Sequence, residues 1–177
     1  MKGELFKVDR EIPLLGNVAF GLIDRGTNII QVRPVSLCPL SCVFCSTDAG
    51  PRSERRQAEY LVIDLDWMIE WVRALVRLKG ERRIEAHIDT VGDPFAYPLI
   101  VDLVQRLKEI RGIEVVSAQT HGPLLNEKIV DELEEAGMDR INLSVDAVNP
   151  ELAKRLSGTE WYDVNKAMEV AEYVVEN

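Results

Sequence analysis

The sequence predicts an α/β fold: a partial (β/α) barrel of parallel strands, preceded by a short N-terminal β-hairpin. Three observations carry this. From about residue 28 onward, strand-length apolar runs alternate with segments of helical period, the rhythm of right-handed β/α crossovers. Polar residues recur at every second position of those runs, where a parallel sheet covered on both faces would be almost continuously apolar. Finally, a closed eight-unit barrel takes ~200 residues or more, and the chain has 177.

In chain order, residues 18–23 and 28–32 read as β-runs around an Asp24-Arg25-Gly26-Thr27 turn. Residues 37–50 form a loop that holds every cysteine, and the polar stretch 51–60 reads as an exposed connection. Residues 64–79 have the period of an amphipathic helix, with Leu65, Ile69, Val72, Leu75, Val76 and Leu78 on its apolar face and Gly80 ending it. A strand over 84–90 and a helix over 97–110, stopped near Gly112, come next. The strand 113–120 precedes a helix that Asn126 caps and Gly137 ends. Residues 140–147 read as the last strand, followed by helices over 150–156 and 163–175. Four parallel strands are therefore expected around Ile30, Ile88, Val116 and Leu143.

Side chains two apart share one face of a strand. The polar positions are Gln31 and Arg33; Glu85, His87 and Asp89; Ser117, Gln119 and His121; and Asn142, Ser144 and Asp146. With the strands side by side in natural order, they line one concave face. Unpartnered burial of so many polar groups would cost several kcal/mol, so this face is expected to be a wet or ligand-filled lumen. The simpler alternative is a sheet with one solvated face.

The formal charge of −9, from 21 basic and 30 acidic residues, argues against a nucleic-acid partner held by its phosphates. Arg52, Arg55 and Arg56, and Arg82 and Arg83, are clusters too short to change this and read as solvated surface. No run reaches the ~20 apolar residues of a membrane span. Residues 1–10 lack the apolar core of a signal peptide, so a cytoplasmic location is expected.

The 3 cysteines are an odd number and lie within one short stretch, unlike a secreted disulfide framework. Cys38, Cys42 and Cys45 have the spacing C-x3-C-x2-C directly after a strand, so three thiolates can wrap three corners of a cubane cluster. Clusters are commonly held by four cysteines; three would leave one iron open to a substrate or cofactor. A Cys3His structural zinc site, with His87 or His121 as fourth ligand, is the competing reading.

This loop, with Phe44 just before its last cysteine, resembles the signature of the radical S-adenosylmethionine (radical SAM) superfamily. Val91-Gly92-Asp93-Pro94 resembles the family's Gly-Gly-Glu-Pro segment, Thr120-His121-Gly122-Pro123-Leu124-Leu125 its Thr-Asn-Gly-x-Leu-Leu segment, and Ser144-Val145-Asp146 its Ser-x-Asp strand. The likeness runs from about residue 28 to 158. It implies a core of six β/α units, about four of them present, with residues 1–27 an N-terminal β extension and 28–177 a core truncated before its last units.

The resemblance also implies a [4Fe–4S] cluster on Cys38, Cys42 and Cys45, with S-adenosylmethionine chelating the fourth iron. Phe44 would lie beside the adenine; Gly92, Asp93 and Pro94 would offer backbone acceptors to the methionyl amine. Ser144, with Asp146 or Gln119, would reach the ribose or carboxylate. The implied activity is that of an oxidoreductase-type enzyme: reductive cleavage of S-adenosylmethionine to a 5′-deoxyadenosyl radical that takes hydrogen from a substrate. The substrate is a small molecule or peptide, and the electron donor a protein such as ferredoxin or flavodoxin. Departures from the family pattern are Val91 for a glycine, Asp93 for glutamate and His121 for asparagine. His121 is read as a satisfied turn histidine, with a proton relay as the alternative; His87 points into the lumen as a substrate contact or a structural group. A non-catalytic iron–sulfur or zinc-binding interaction module, or an electron-transfer protein, would instead close the site with a fourth protein ligand.

Overall fold

The computed structural model describes residues 4–80 and 82–176. The reading of residues 1–10 therefore lies partly outside the described residues. The main sheet takes in the antiparallel pair β2 (Gly21–Asp24) and β3 (Ile29–Arg33). Three strands then add parallel to β3 in chain order: β5 (Ile84–Ile88), β6 (Ile113–Thr120) and β7 (Arg140–Leu143). The expected hairpin and the expected four parallel strands are both present. Asp24 Oδ1 accepts from the Gly26 amide in the turn, where Gly26 has φ 68°.

The polypeptide between strands supplies α1 (Leu65–Leu78), α2 (Ile100–Lys108) and α3 (Glu127–Glu135), with α4 (Pro150–Ser157) and α5 (Val164–Glu176) after β7. Strand positions Ile30, Val32, Ile84, Ala86, Ile88, Val116 and Ala118 are buried. They form one core with Met68, Ile69, Val72 and Val76 of α1 and Leu103, Val104 and Leu107 of α2. A buried aliphatic side chain of this kind contributes about 1.5–3 kcal/mol, so this layer supplies most of what holds the arc together.

The register sets the opposite face. Gln31 pairs with His87, His87 with Ser117, and Ser117 with Arg140; one step nearer the strand ends, Gln119 pairs with Asn142. The polar stripes thus form rows across the sheet. His87 Nδ1 lies 2.7 Å from Ser117 Oγ, which donates to Glu85 at 2.6 Å, and Arg140 also reaches Glu85. These contacts join His87 Nδ1, Ser117, Glu85 and Arg140 into one network on this face.

Several boundaries differ from the sequence reading. The stretch 51–60 is not a simple exposed connection: β4 (Ala58–Val62) begins inside it and pairs in parallel with β1 (Glu4–Val8). Parallel pairing across some fifty residues leaves no local signature. The helix expected from residue 97 starts at Ile100, because Pro94–Ala96 forms a 3-10 turn capped by Asp93. The last strand stops at Leu143 rather than 147, where it has no further neighbour to pair with among the described residues. Leu78, counted to the apolar face of α1, is exposed at the helix end.

The start of α1 yields one stability prediction. Asp64 accepts from the Trp67 amide at 2.8 Å and from Arg10 Nε at 2.8 Å. These contacts, the amide first, hold its carboxyl below the usual range. Its contribution is therefore present above the ordinary Asp value of about 3.9 and lost as pH falls through the lower folded value. Asp64→Ala should lower stability by about 1 kcal/mol at neutral pH, and the gap from the parent should shrink in strong acid. Thermal melts at two pH values check both.

Candidate active site

The cysteine loop leaves β3 through Pro34 and Val35 and crosses the carboxyl edge of the sheet, the edge where residues from separate parallel strands converge. Two glycines hold it by absence of a side chain. A Cβ on Gly50 would lie 1.6 Å from the Leu40 carbonyl oxygen, and one on Gly158 2.0 Å from that of Ser41. The loop is further tied to α4 by the Ser41 and Val43 amides, which donate to the Ser157 and Leu156 carbonyls.

All three thiols are free and partly buried. Burial pushes Cys38 up to about 12 and Cys42 up to about 11. Cys45 differs: burial also raises it, but the Thr47 hydroxyl and the Ala49 amide, each 3.3 Å from Sγ, outweigh this and hold it below the ordinary thiol value. Among the described residues no three of His, Cys, Asp and Glu converge as one ion would require. His121 Nδ1 faces the Ser144 carbonyl at 3.0 Å and Asp146 at 3.4 Å, the kind of support that leaves Nε2 available. Thiols that bind different irons of a cluster need not meet at one point, so free thiols of one loop facing one space are compatible with a cluster.

That space is a cavity of about 420 Å³, bounded by Cys38, Cys42, Cys45 and Phe44 on the loop side. The strand ends contribute Arg33, Asp89, Gly92, Asp93, Gln119, His121 and Ser144. The structure therefore brings together eight of the ten residues named from the sequence. The other two lie beside it. Asp146 lines a small adjoining recess with Cys42, His121 and Tyr162. Pro94 is buried in the 3-10 turn. Phe44 is half exposed and its ring centroid is 6.5 Å from that of His121. The Gln119 amide donates to Ser144 Oγ at 3.2 Å, so these two act as a pair.

Asp93 has an inward role. Its Oδ2 accepts from Thr120 at 2.6 Å and its Oδ1 from the Phe95 amide at 3.0 Å. Burial raises its carboxyl above the usual range against these hydrogen bonds. The side chain struts the ends of β5 and β6 together, leaving only backbone for a ligand. The Tyr162 hydroxyl, in the connection between α4 and α5, donates to the His121 carbonyl at 2.9 Å and ties that turn down.

Sequence reasoning missed Arg56, read as solvated surface. Its guanidinium is largely buried and donates to the Ser36 and Val91 carbonyls at 3.0 and 3.1 Å, with Glu59 3.6 Å away. Thr47 Oγ1 donates to the same Val91 carbonyl at 2.9 Å. Together they tie the cysteine loop to the turn after β5. Nothing in an Arg-Arg pair within a polar stretch distinguishes the inward member from the outward one.

Residues 32–177 match the Radical SAM superfamily. An uncharacterized protein of Methanocaldococcus jannaschii, MJ0103, is 48% identical over 175 residues, 98% of this chain and 40% of its own length. The GTP 3',8-cyclase of Heliobacterium modesticaldum is 34% identical over 128 residues, 72% of this chain and 36% of the cyclase. The chain thus spans less than half the length of the curated relatives it matches. Two solved structures share the fold: Streptococcus suis SuiB (TM-score 0.61, 22% identity, 84% of this chain and 30% of SuiB) and methylornithine synthase, PylB (TM-score 0.62, 19% identity, 82% and 40%).

Proposed function

The chain belongs to the radical SAM superfamily, and from that premise we propose that it forms the cofactor-binding core of a radical enzyme acting on a small molecule or peptide. The observation that carries this is the joining of three free thiols from one loop with the ends of the parallel strands around one cavity. When bound, the [4Fe–4S] cluster and S-adenosylmethionine supply one-electron cleavage of the sulfonium carbon–sulfur bond and a 5′-deoxyadenosyl radical for hydrogen abstraction.

The chain's own residues bind and orient. Cys38, Cys42 and Cys45 would hold three irons, Cys45 aided by Thr47 and Ala49 at its sulfur. The carbonyls around Gly92 would accept from the methionyl amine, with Arg56 fixing their position from behind. Phe44 would cover the adenine, and the Gln119–Ser144 pair would reach the ribose or carboxylate. Asp146, held near His121, is the reserve contact on that side. A reductant such as ferredoxin or flavodoxin would deliver the electron. Unpaired thiols and an oxygen-sensitive centre go with a reducing, cytoplasmic setting. No helix among the described residues is long and apolar enough to cross a membrane.

The test is anaerobic reconstitution with iron and sulfide, followed by electron paramagnetic resonance of the reduced protein. A [4Fe–4S] signal that changes on adding S-adenosylmethionine is the expected result. A signal indifferent to it, or stoichiometric zinc in place of iron, would favour the non-catalytic module.

A further inference from the structure

One cation in the cavity wall is left without the partners it needs. Arg33 closes β3, with its side chain 14% exposed. A guanidinium carries five N–H donors. One of its terminal nitrogens donates to the Val18 carbonyl. The other lies 3.9 Å from Asp89 Oδ2, beyond hydrogen-bond distance. Nε is shielded from solvent and has no acceptor among the described residues.

Asp89 does not make up the deficit at that distance; its Oδ2 accepts instead from the Gln31 amide at 2.5 Å. Gln31 is in turn engaged by Arg25, which donates to its Oε1 at 3.3 Å. Two guanidiniums thus share the neighbourhood of one carboxylate, on a chain whose net charge is −9. The other carboxylate in the cavity wall, Asp93, is spent on Thr120 and the Phe95 amide. A buried arginine usually meets its carboxylate through two parallel hydrogen bonds; Arg33 makes neither with Asp89, and it lines the wall of the cavity that holds the three thiols.

We propose that Arg33 anchors an anionic group of the substrate, a carboxylate or phosphate, in the cavity beside the cysteine loop. The inference rests on the reading of this cavity as the radical site and adds the charge of what enters it. Asp89 then serves as a positioning residue, holding the guanidinium at the strand end without neutralising it.

Inorganic pyrophosphate is a suitable probe, its binding measured by anaerobic equilibrium dialysis against the reconstituted chain, with and without saturating S-adenosylmethionine. Binding is expected in both conditions. Arg33→Gln should weaken it about tenfold or more, Arg33→Lys should recover part of the loss, and Asp89→Asn, which removes a negative charge beside the bound anion while keeping a polar group in place, should tighten it. Equal binding by Arg33→Gln overturns the proposal. So does displacement of pyrophosphate by S-adenosylmethionine, which would assign Arg33 to the cofactor's own carboxylate. An Asp89→Asn protein that loses stability without binding more tightly would make the pair structural, again overturning it; this variant keeps the test usable if Arg33→Gln fails to fold. The Arg33 and Asp89 comparisons can also be run on the chain before reconstitution, so their failure is distinguishable from failure of the radical reading, which the electron paramagnetic resonance experiment tests.

Discussion

Cys45→Ser is expected to leave the fold intact and to remove the cluster. Serine keeps an acceptor at the position where the Ala49 amide now meets the sulfur, and a hydroxyl that can meet Thr47 Oγ1. The loop around it is held by elements that the substitution does not touch: the close approach at Gly50 and the Ser41 and Val43 amides on α4. Melting should therefore shift by no more than about 0.5 kcal/mol in stability terms. The chemistry should not survive, because a hydroxyl does not ionise at neutral pH and is a poor match for cluster iron, which thiolates hold. Loss of a supporting partner alone costs 10–100-fold in metal affinity, so loss of a direct ligand should reduce both iron content and cleavage of S-adenosylmethionine by about 100-fold or more. Iron analysis and a cleavage assay read this directly. A serine variant with full iron would show that Cys45 is not a ligand.

The candidate site was legible in the sequence in part. Cys45 could be read because spacing is a local property. So could the strand Ile113–Thr120 and the helix behind Asn126, where pattern and punctuation agree within a few residues. The polar rows were legible as a pattern of two, and the parallel register turned that pattern into a common face. What stayed hidden is non-local. The β1–β4 pair depends on segments some fifty residues apart, with no crossover helix of their own to announce them. Arg56 and Arg55 are neighbours of the same type, yet only Arg56 turns inward, because the Ser36 and Val91 carbonyls wait there. The inward use of Asp93 depends likewise on Thr120, twenty-seven positions on.

Gly92 belongs to both classes: its motif was visible and the reason for it was not. A strand-ending turn would call for glycine through a positive φ, and Gly92 is not among the glycines that have one. The constraint is close approach. A Cβ would lie 2.2 Å from the Ser36 carbonyl oxygen and 2.2 Å from that of Leu37, with backbone on both sides and no flexible side chain to give way. Relief would require the turn to move off the cysteine loop. That movement breaks the 2.8 Å bond from the Asp93 amide to the Leu37 carbonyl and strains the contact of the Gly92 amide with Thr90 Oγ1. Gly92→Ala should therefore cost about 3 kcal/mol, a fall in Tm of roughly 6–12 °C for a chain of this size, together with loss of cluster uptake. Gly26→Ala is the control. Nothing lies within 4 Å of its added methyl and only the dihedral is strained, at about 1 kcal/mol and a few degrees, with the cluster retained. If Gly92→Ala melted within 2 °C of the parent and still bound iron, the turn after β5 and the cysteine loop would not be a single packed unit, and the cofactor cavity could not depend on their contact.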